Sequence, residues 1–196
     1  MKLKKQTYFY PEKPRLLHID QPMFESMSMN KQWVAERKYN GCRLQLHVMN
    51  GVPQFWNRHG ELMSYSPTQE ILDGLKGLPG YCLLDGELRH GKVIGTKNKI
   101  VFYDVFIWNN ELLIGKPFWF RRNLLNKLFE VNAEPIGLTE QFPTDFRSVF
   151  EEVIEDEEIE GLVMKDTRGL LDLGRNAGAN SKWMQKVRRP NNSYRF

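Results

Sequence analysis

The chain has 196 residues, 41% of them apolar and 27% charged, which suits one ordinary packed domain and argues against wholesale disorder. No apolar run approaches the ~18 residues needed to cross a bilayer. The basic start MKLKKQTYFYPEKPR lacks the apolar segment of a secretory leader, and two cysteines, Cys42 and Cys82, are too few for a disulfide framework or a CxxC metal site. A cytoplasmic protein with no membrane partner is therefore expected. The net charge of +4 hides a segregation: residues 151–160 hold seven acids and no Lys or Arg, so removing them leaves +11 on the other 186 residues. A cationic body of this kind suits a polyanionic partner.

Residues 1–22 mix Lys2, Lys4, Lys5, Lys13 and Arg15 with Tyr8, Phe9 and Tyr10. They read either as a segment lying along a phosphate backbone or as a solvated arm that packs its aromatics. From residue 43 the pattern is that of a strand: Leu44, Leu46 and Val48 alternate with polar residues, Asn50-Gly51 supplies a type I′ turn, and residues 52–56 return as the partner. Residues 67–75 predict a short helix carrying Ile71, Leu72 and Leu75. A short apolar strand is expected over 81–84 and a hairpin around His90-Gly91 over 88–94. Residues 100–108 are almost continuously apolar, as in a strand buried on both faces. Pro117 suits the first turn of a helix over 117–130.

The acidic stretch belongs to a helix over 145–158, in which Phe146, Val149, Phe150, Val153 and Ile154 form one buried stripe and the carboxylates face water. Residues 161–164 read as another strand and 166–181 as a loop. Strands and helices without a βαβ rhythm predict an α+β fold.

The chain lacks GxxxxGK[ST], HExxH and GxSxG, and its four histidines show no metal-ligand spacing. Four short elements carry the chemistry instead. Lys38-Tyr39-Asn40-Gly41-Cys42-Arg43 places an amine beside a second cation at the edge of a strand. Leu84-Asp85-Gly86-Glu87-Leu88 presents carboxylates from what reads as a tight turn, with Asp85 as a turn-former. Phe102-Tyr103-Asp104-Val105-Phe106 is an aromatic strand interrupted by one acid, which could be structural or functional. Glu160-Gly161-Leu162-Val163-Met164-Lys165 has an acid and a base at opposite ends of a buried strand. Cys42 reads as packing.

In this order the four elements resemble the covalent nucleotidyltransferase superfamily of ATP-dependent DNA ligases, RNA ligases and mRNA-capping guanylyltransferases. That family's first motif is KxDGxR, whose Lys takes the nucleotide as a phosphoramide; Lys38, Gly41 and Arg43 match, and Asn40 stands where the family has Asp. Asn57-Arg58-His59-Gly60 is similar to a Ser-Arg-x-Gly element, and the run through Arg121-Arg122 resembles DNA ligases more than capping enzymes. The last family motif, Lys-x-Lys, is met only by Lys186-x-Arg188. The resemblance spans about residues 20–188.

It implies an ATP-grasp-like nucleotidyltransferase domain over residues 23–196, with two mainly antiparallel sheets flanking a nucleotide cleft, peripheral helices and a basic arm over 1–22. No OB-fold domain is expected after it. It implies a monomeric ATP-dependent polynucleotide ligase that seals nicked or splinted duplexes with Mg²⁺ or Mn²⁺. Lys38 would carry AMP, and Lys165 and Lys186 would grip the α-phosphate. Tyr103 would stack on adenine and Arg43 would contact the ribose, with Glu36 also in the nucleotide site. Glu160 would bind the metal, and Glu87 the metal or the ribose. Arg58 and Arg188 would contact nucleic acid. The reaction needs an uncharged amine at Lys38, which nearby cations favour and Glu36 opposes. Two further readings share these motifs: an RNA-capping guanylyltransferase, marked by preference for GTP, and an inactive end-binding module, which Asn40 and the irregular last motif would suit. A small stand-alone core fits a viral or repair setting.

Overall fold

The computed structural model describes residues 8–92, 94–172 and 179–189. In chain order its first half comprises β1 (Lys13–Leu16), α1 (Pro22–Met29), β2 (Trp33–Tyr39), β3 (Cys42–Met49), β4 (Val52–Trp56), α2 (Gln69–Leu75) and β5 (Tyr81–Arg89). There follow β6 (Lys99–Trp108), β7 (Glu111–Leu112), α3 (Phe118–Leu125), β8 (Ile136–Leu138), β9 (Gln141–Phe142), α4 (Phe146–Val153), β10 (Ile159–Asp166) and β11 (Asn180–Arg188).

The strands make two sheets. One runs β1-β11-β10-β2-β9, antiparallel except for the β1–β11 pair; the other runs β4-β3-β5-β6-β7, antiparallel throughout, with β8 added parallel to β6. Alternation along most strands gives each sheet one apolar and one more polar face, while β6 is buried on both, with Ile100 and Phe102 in one core and Val101 in the other. Leu44, Leu46, Val48 and Leu84 of the second sheet pack with Ile71 and Leu75 of α2 and Leu125 of α3. Ala35, Leu162, Met164 and Val187 of the first sheet pack with Phe24 and Met27 of α1 and Phe146, Phe150 and Val153 of α4. Burying each of the larger of these side chains contributes roughly 1.5–3 kcal/mol. Helices therefore cover the outer faces, and the polar faces look toward each other across a cleft. This is the expected α+β architecture.

Several elements match the sequence reading closely. Asn50 and Gly51 both have positive φ (51° and 78°), as a type I′ turn demands, and β4 returns along β3. Others differ. The helix expected over 145–158 ends at Val153, and the one expected over 117–130 ends at Leu125. Ile154, the last residue of the stripe, caps the helix and still packs on the core, and Glu158 turns inward onto Arg89 and Thr96 instead of facing water. The hairpin around His90-Gly91 is wider than read, since β5 runs unbroken to Arg89 and its return strand is β6. Part of the loop read over 166–181 falls outside the described residues. No helix among the described residues is long and apolar enough to cross a membrane.

Candidate active site

Register alone assembles one wall of the cleft. Antiparallel pairing sets Lys38 of β2 opposite Gly161 of β10, which in turn faces Arg188 of β11; one step along, Glu36 faces Val163, which faces Lys186. Residues paired across a ladder share a face, so Glu36, Lys38, Lys186 and Arg188 all stand on the cleft side. Ala35, Leu162, Met164 and Val187 fill the core behind them.

Between Ile159 and Gly161 the β10–β2 register shifts by one residue, a bulge that makes Glu160 the extra residue and turns its carboxylate to the Lys38 amine. Gly161 permits this. Its φ is +145°, and a Cβ there would drive into the Val187 carbonyl on the next strand. Arg188 Nε also lies 3.7 Å from Glu160 Oε2. Burial, with Arg188, Lys38 and Lys13 nearby, lowers the Lys186 amine below its ordinary pKa, while Glu160 opposes the shift.

Deeper in the wall Glu36 is 2% exposed and its oxygens are engaged from three sides: Lys165 Nζ at 2.6 Å, Gln141 Nε2 at 2.8 Å and Arg122 Nη1 at 3.4 Å. Lys165 also donates to the Tyr103 carbonyl (3.1 Å), and its ammonium lies 5.2 Å from the Tyr103 ring centroid and 4.5 Å from that of Phe118. Arg122 anchors the cluster by donating to the Thr139 carbonyl (2.6 Å) and to Asn126 Oδ1 (3.0 Å).

The other wall comes from β3, β5 and β6. Arg43 faces Glu87 across the β3–β5 ladder, and its guanidinium forks onto Asp85 at 3.0 and 2.5 Å, 6.0 Å from the Tyr103 ring centroid. Burial, with Asp85 beside it, pushes the Tyr103 phenol far above its ordinary range, so the ring presents a neutral aromatic face. Burial raises the Glu87 carboxyl to about 7; Lys38, Arg43 and Lys92 pull it down and Glu160 pushes it up. Two carboxyl groups close enough to repel, beside a lysine amine, are hard oxygen donors that fit a divalent cation sharing phosphate oxygens. Among the described residues no three His, Cys, Asp or Glu side chains cluster as a metal site, so further ligands would come from substrate and water.

The Asp85-Gly86 pair is not the turn that its sequence suggests. Both residues lie inside β5, and Asp85 is 2% exposed as the partner of Arg43. Gly86 sits there because β6 comes close: a Cβ would meet the Val101 carbonyl at 2.7 Å and the Phe102 ring at 2.9 Å. Asp104 is likewise structural, holding the fully buried Arg121 through two bonds of 2.7 and 2.8 Å. Arg58 stands apart from the cluster on the exposed turn after β4, where its Nε donates to His59 Nε2 (3.1 Å).

Sequence reasoning missed Gln141 and Arg122 on Glu36, and Lys92, whose amine donates to the Gly41 carbonyl at 2.5 Å in the Lys38 turn. The Arg121-Arg122 pair was a signal, since adjacent arginines on one short helix reach two different buried acids.

The model of the ATP-dependent DNA ligase domain family matches residues 89–186, half of the chain. The chain belongs to that family. Among curated relatives of this ligase-family chain, the DNA ligase of Methanococcus vannielii is 28% identical over 152 residues, covering 64% of this chain and 26% of the relative. The DNA ligase of Methanococcus maripaludis is 29% identical over 154 residues, covering 65% and 26%. The chain thus spans about a quarter of their length. Solved structures share its fold, two of them as follows. The ligase domain of M. tuberculosis LigD matches with a TM-score of 0.69 at 19% identity, over 91% of this chain and 59% of that one. Bacteriophage T7 ATP-dependent DNA ligase in complex with ATP matches with a TM-score of 0.61 at 16% identity, over 91% and 68%.

Proposed function

We propose that this chain is a monomeric ATP-dependent polynucleotide ligase that seals 5′-phosphate to 3′-OH ends at nicks in duplex DNA, through AMP carried on Lys38. One observation carries the reading: in a DNA ligase family chain, the Lys38 amine stands against Glu160 in a cleft that has Lys186 and Arg188 on one wall and Arg43, Glu87 and Tyr103 on the other.

Lys38 Nζ attacks the ATP α-phosphorus. A nitrogen–phosphorus bond forms, the bond to the pyrophosphate oxygen breaks, and the amine's proton leaves to the Glu160 carboxylate it touches. Lys186 holds charge gathering on the phosphate, a stabilisation that is large in a site walled off from water. Lys165, held by Glu36 from below, supplies a second cation on the Tyr103 side. Tyr103 offers its neutral face to adenine, and Arg43, fixed by Asp85, borders the ribose. An oxygen of the 5′-phosphate end, met by Arg58, then attacks the AMP phosphorus; the nitrogen–phosphorus bond breaks, and Lys38 Nζ leaves as the amine by taking back the proton held on Glu160. Finally the 3′-OH attacks the activated 5′-phosphorus, AMP departs, and the hydroxyl proton is released. Glu160 and Glu87 would hold Mg²⁺ or Mn²⁺, and that ion supplies Lewis-acid charge neutralisation on phosphate oxygens.

Incubation with α-labelled ATP and Mg²⁺ should label the protein, and Lys38→Ala should abolish the label. Labelling by GTP in preference to ATP would redirect the reading to RNA capping. Failure to join a nicked duplex, even one already adenylated, would overturn it. A joining panel with DNA or RNA on each side of the nick reads the strand preference.

A further inference from the structure

The segment before α1 is neither a free arm nor a simple edge strand. At one end, Tyr8 and Tyr10 pack edge-to-face (4.9 Å between centroids) against the turn that carries Arg58: a Cβ on Gly60 would sit 3.3 Å from the Tyr8 ring and 3.4 Å from the Tyr10 hydroxyl. Phe9 is pinned by its backbone, whose N–H donates to Gln45 Oε1 (3.3 Å) and whose carbonyl accepts from Gln45 Nε2. Gln45 lies two residues from Arg43 on the same strand and pairs in register with Asp85, so Phe9 is held on the cleft face of the second sheet. At the other end, β1 joins the first sheet. Lys13 N–H donates to the Ala179 carbonyl (2.8 Å), Leu16 pairs with Lys186, and Leu17 N–H donates to the Lys186 carbonyl (2.9 Å). Within ten residues the chain crosses from one sheet to the other. It links the Arg58 turn to the strand that carries Lys186 and Arg188.

Charge indicates what such a strap meets. Lys2, Lys4 and Lys5 precede Tyr8 in the sequence, Lys13 and Arg15 follow, and Glu12 is the one acid in residues 1–17. Lys13 is exposed and close enough to Lys186 to help depress its pKa. Burial and the neighbouring Asp85 raise the Tyr8 phenol to about 12, against the pull of Arg43, so Tyr8 is a neutral aromatic wedge between the Arg43–Asp85 pair and the Arg58 turn.

We propose that residues 8–17 form part of the polynucleotide site: Tyr8 and Tyr10 set the Arg58 turn for the 5′-phosphate side of a nick, and Lys13 extends the Lys186–Arg188 row with a further backbone-phosphate contact. The strap is thus a positioning element for Arg58 and a phosphate-binding element in its own right. It rests on the ligase reading, and its test is kept separate from that reading because it needs no ATP.

Binding of the full chain to a fluorescent nicked DNA duplex is followed by anisotropy across a salt series, with 5′-phosphate or 5′-OH at the nick. Each phosphate contact contributes about 0.9 to the slope of log K against log salt, so Lys13→Gln should lower the slope by about that amount. Tyr8→Ala/Tyr10→Ala should cut the preference for the 5′-phosphate nick several-fold. Lys13 lies on an exposed strand, so its variant keeps the core intact. An unchanged slope in Lys13→Gln, or an unchanged 5′-phosphate preference in the tyrosine variant, would overturn the proposal. A chain that takes no label from ATP would remove the ligase reading and leave both binding measurements standing.

Discussion

The buried charges around Glu36 make an asymmetric prediction. One carboxylate serves two cations, Lys165 and Arg122, and a neutral amide, Gln141. Glu36→Ala strands both cations: Lys165 is 3% exposed and Arg122 is 4% exposed, and neither can reach water without disturbing β10 or α3. Removing one partner of a buried pair costs about 3–5 kcal/mol, a large share of the ~5–15 kcal/mol that holds a domain of this kind together. Lys165→Met leaves a different remnant. Glu36 keeps Arg122 and Gln141, and the methionine fills the space over Phe118, so the cost should be nearer ~1–3 kcal/mol. Urea unfolding of both variants at pH 7, with equal m-values, reads the difference directly. The same proteins carry the functional arm: Lys165→Met should stay folded at 25 °C yet lose most transfer of label from ATP. If Lys165→Met proved as destabilising as Glu36→Ala, the charge-counting argument would be wrong.

Further outcomes follow from other positions. Gly161→Ala should unfold at lower urea and lose self-adenylylation, because strain at positive φ costs ~1–3 kcal/mol before the clash with Val187 is counted; wild-type labelling would refute the bulge's role. Asp104→Ala strips the carboxylate from a fully buried Arg121 and should cost about 3–5 kcal/mol, read as a lowered Tm. Two groups, half-buried Glu87 and buried His47, give pH slopes of opposite sign. Glu87, raised by burial from 4.5 to about 7, contributes stability that is complete below pH 4.5 and lost as pH rises through 7. His47, lowered by burial from 6.5 to about 4, contributes stability that is complete above pH 6.5 and lost as pH falls through 4. They oppose each other between pH 4.5 and 6.5, so Glu87→Gln should leave stability rising with pH there and His47→Gln should leave it falling; identical profiles in both variants would contradict the assignment.

What could be read from the sequence was whatever depends on near neighbours in the chain. The Asn50-Gly51 turn, the apolar run that became β6 and the stripe of Phe146, Phe150 and Val153 each follow from local periodicity or turn chemistry. The motif residues Lys38, Glu160, Lys186 and Arg188 come together because strands distant in sequence pair in one register. Asp85-Gly86 misled for the same reason in reverse: the pair carries a strong local turn signal, and only the approach of β6 explains a glycine in mid-strand. Glu36 was placed in the nucleotide site by the resemblance, but nothing near it in the sequence shows that partners 86 to 129 residues away converge on it. The α4 helix ends as its apolar stripe runs out at Ile154, so the acidic residues that follow it lie outside the helix.

The ladder that seats Lys38 also guards it. Sliding β2 by one residue along β10 would carry Glu36 and Lys38 into the apolar layer beneath α1 and α4 and turn Ala35 and Tyr39 out to the cleft. Such a slip forfeits the whole reverse side at once, so the fold has no cheap near-miss in which Lys38 is present but misaimed. Insertions within β2 or β10 should therefore be lethal to the chain.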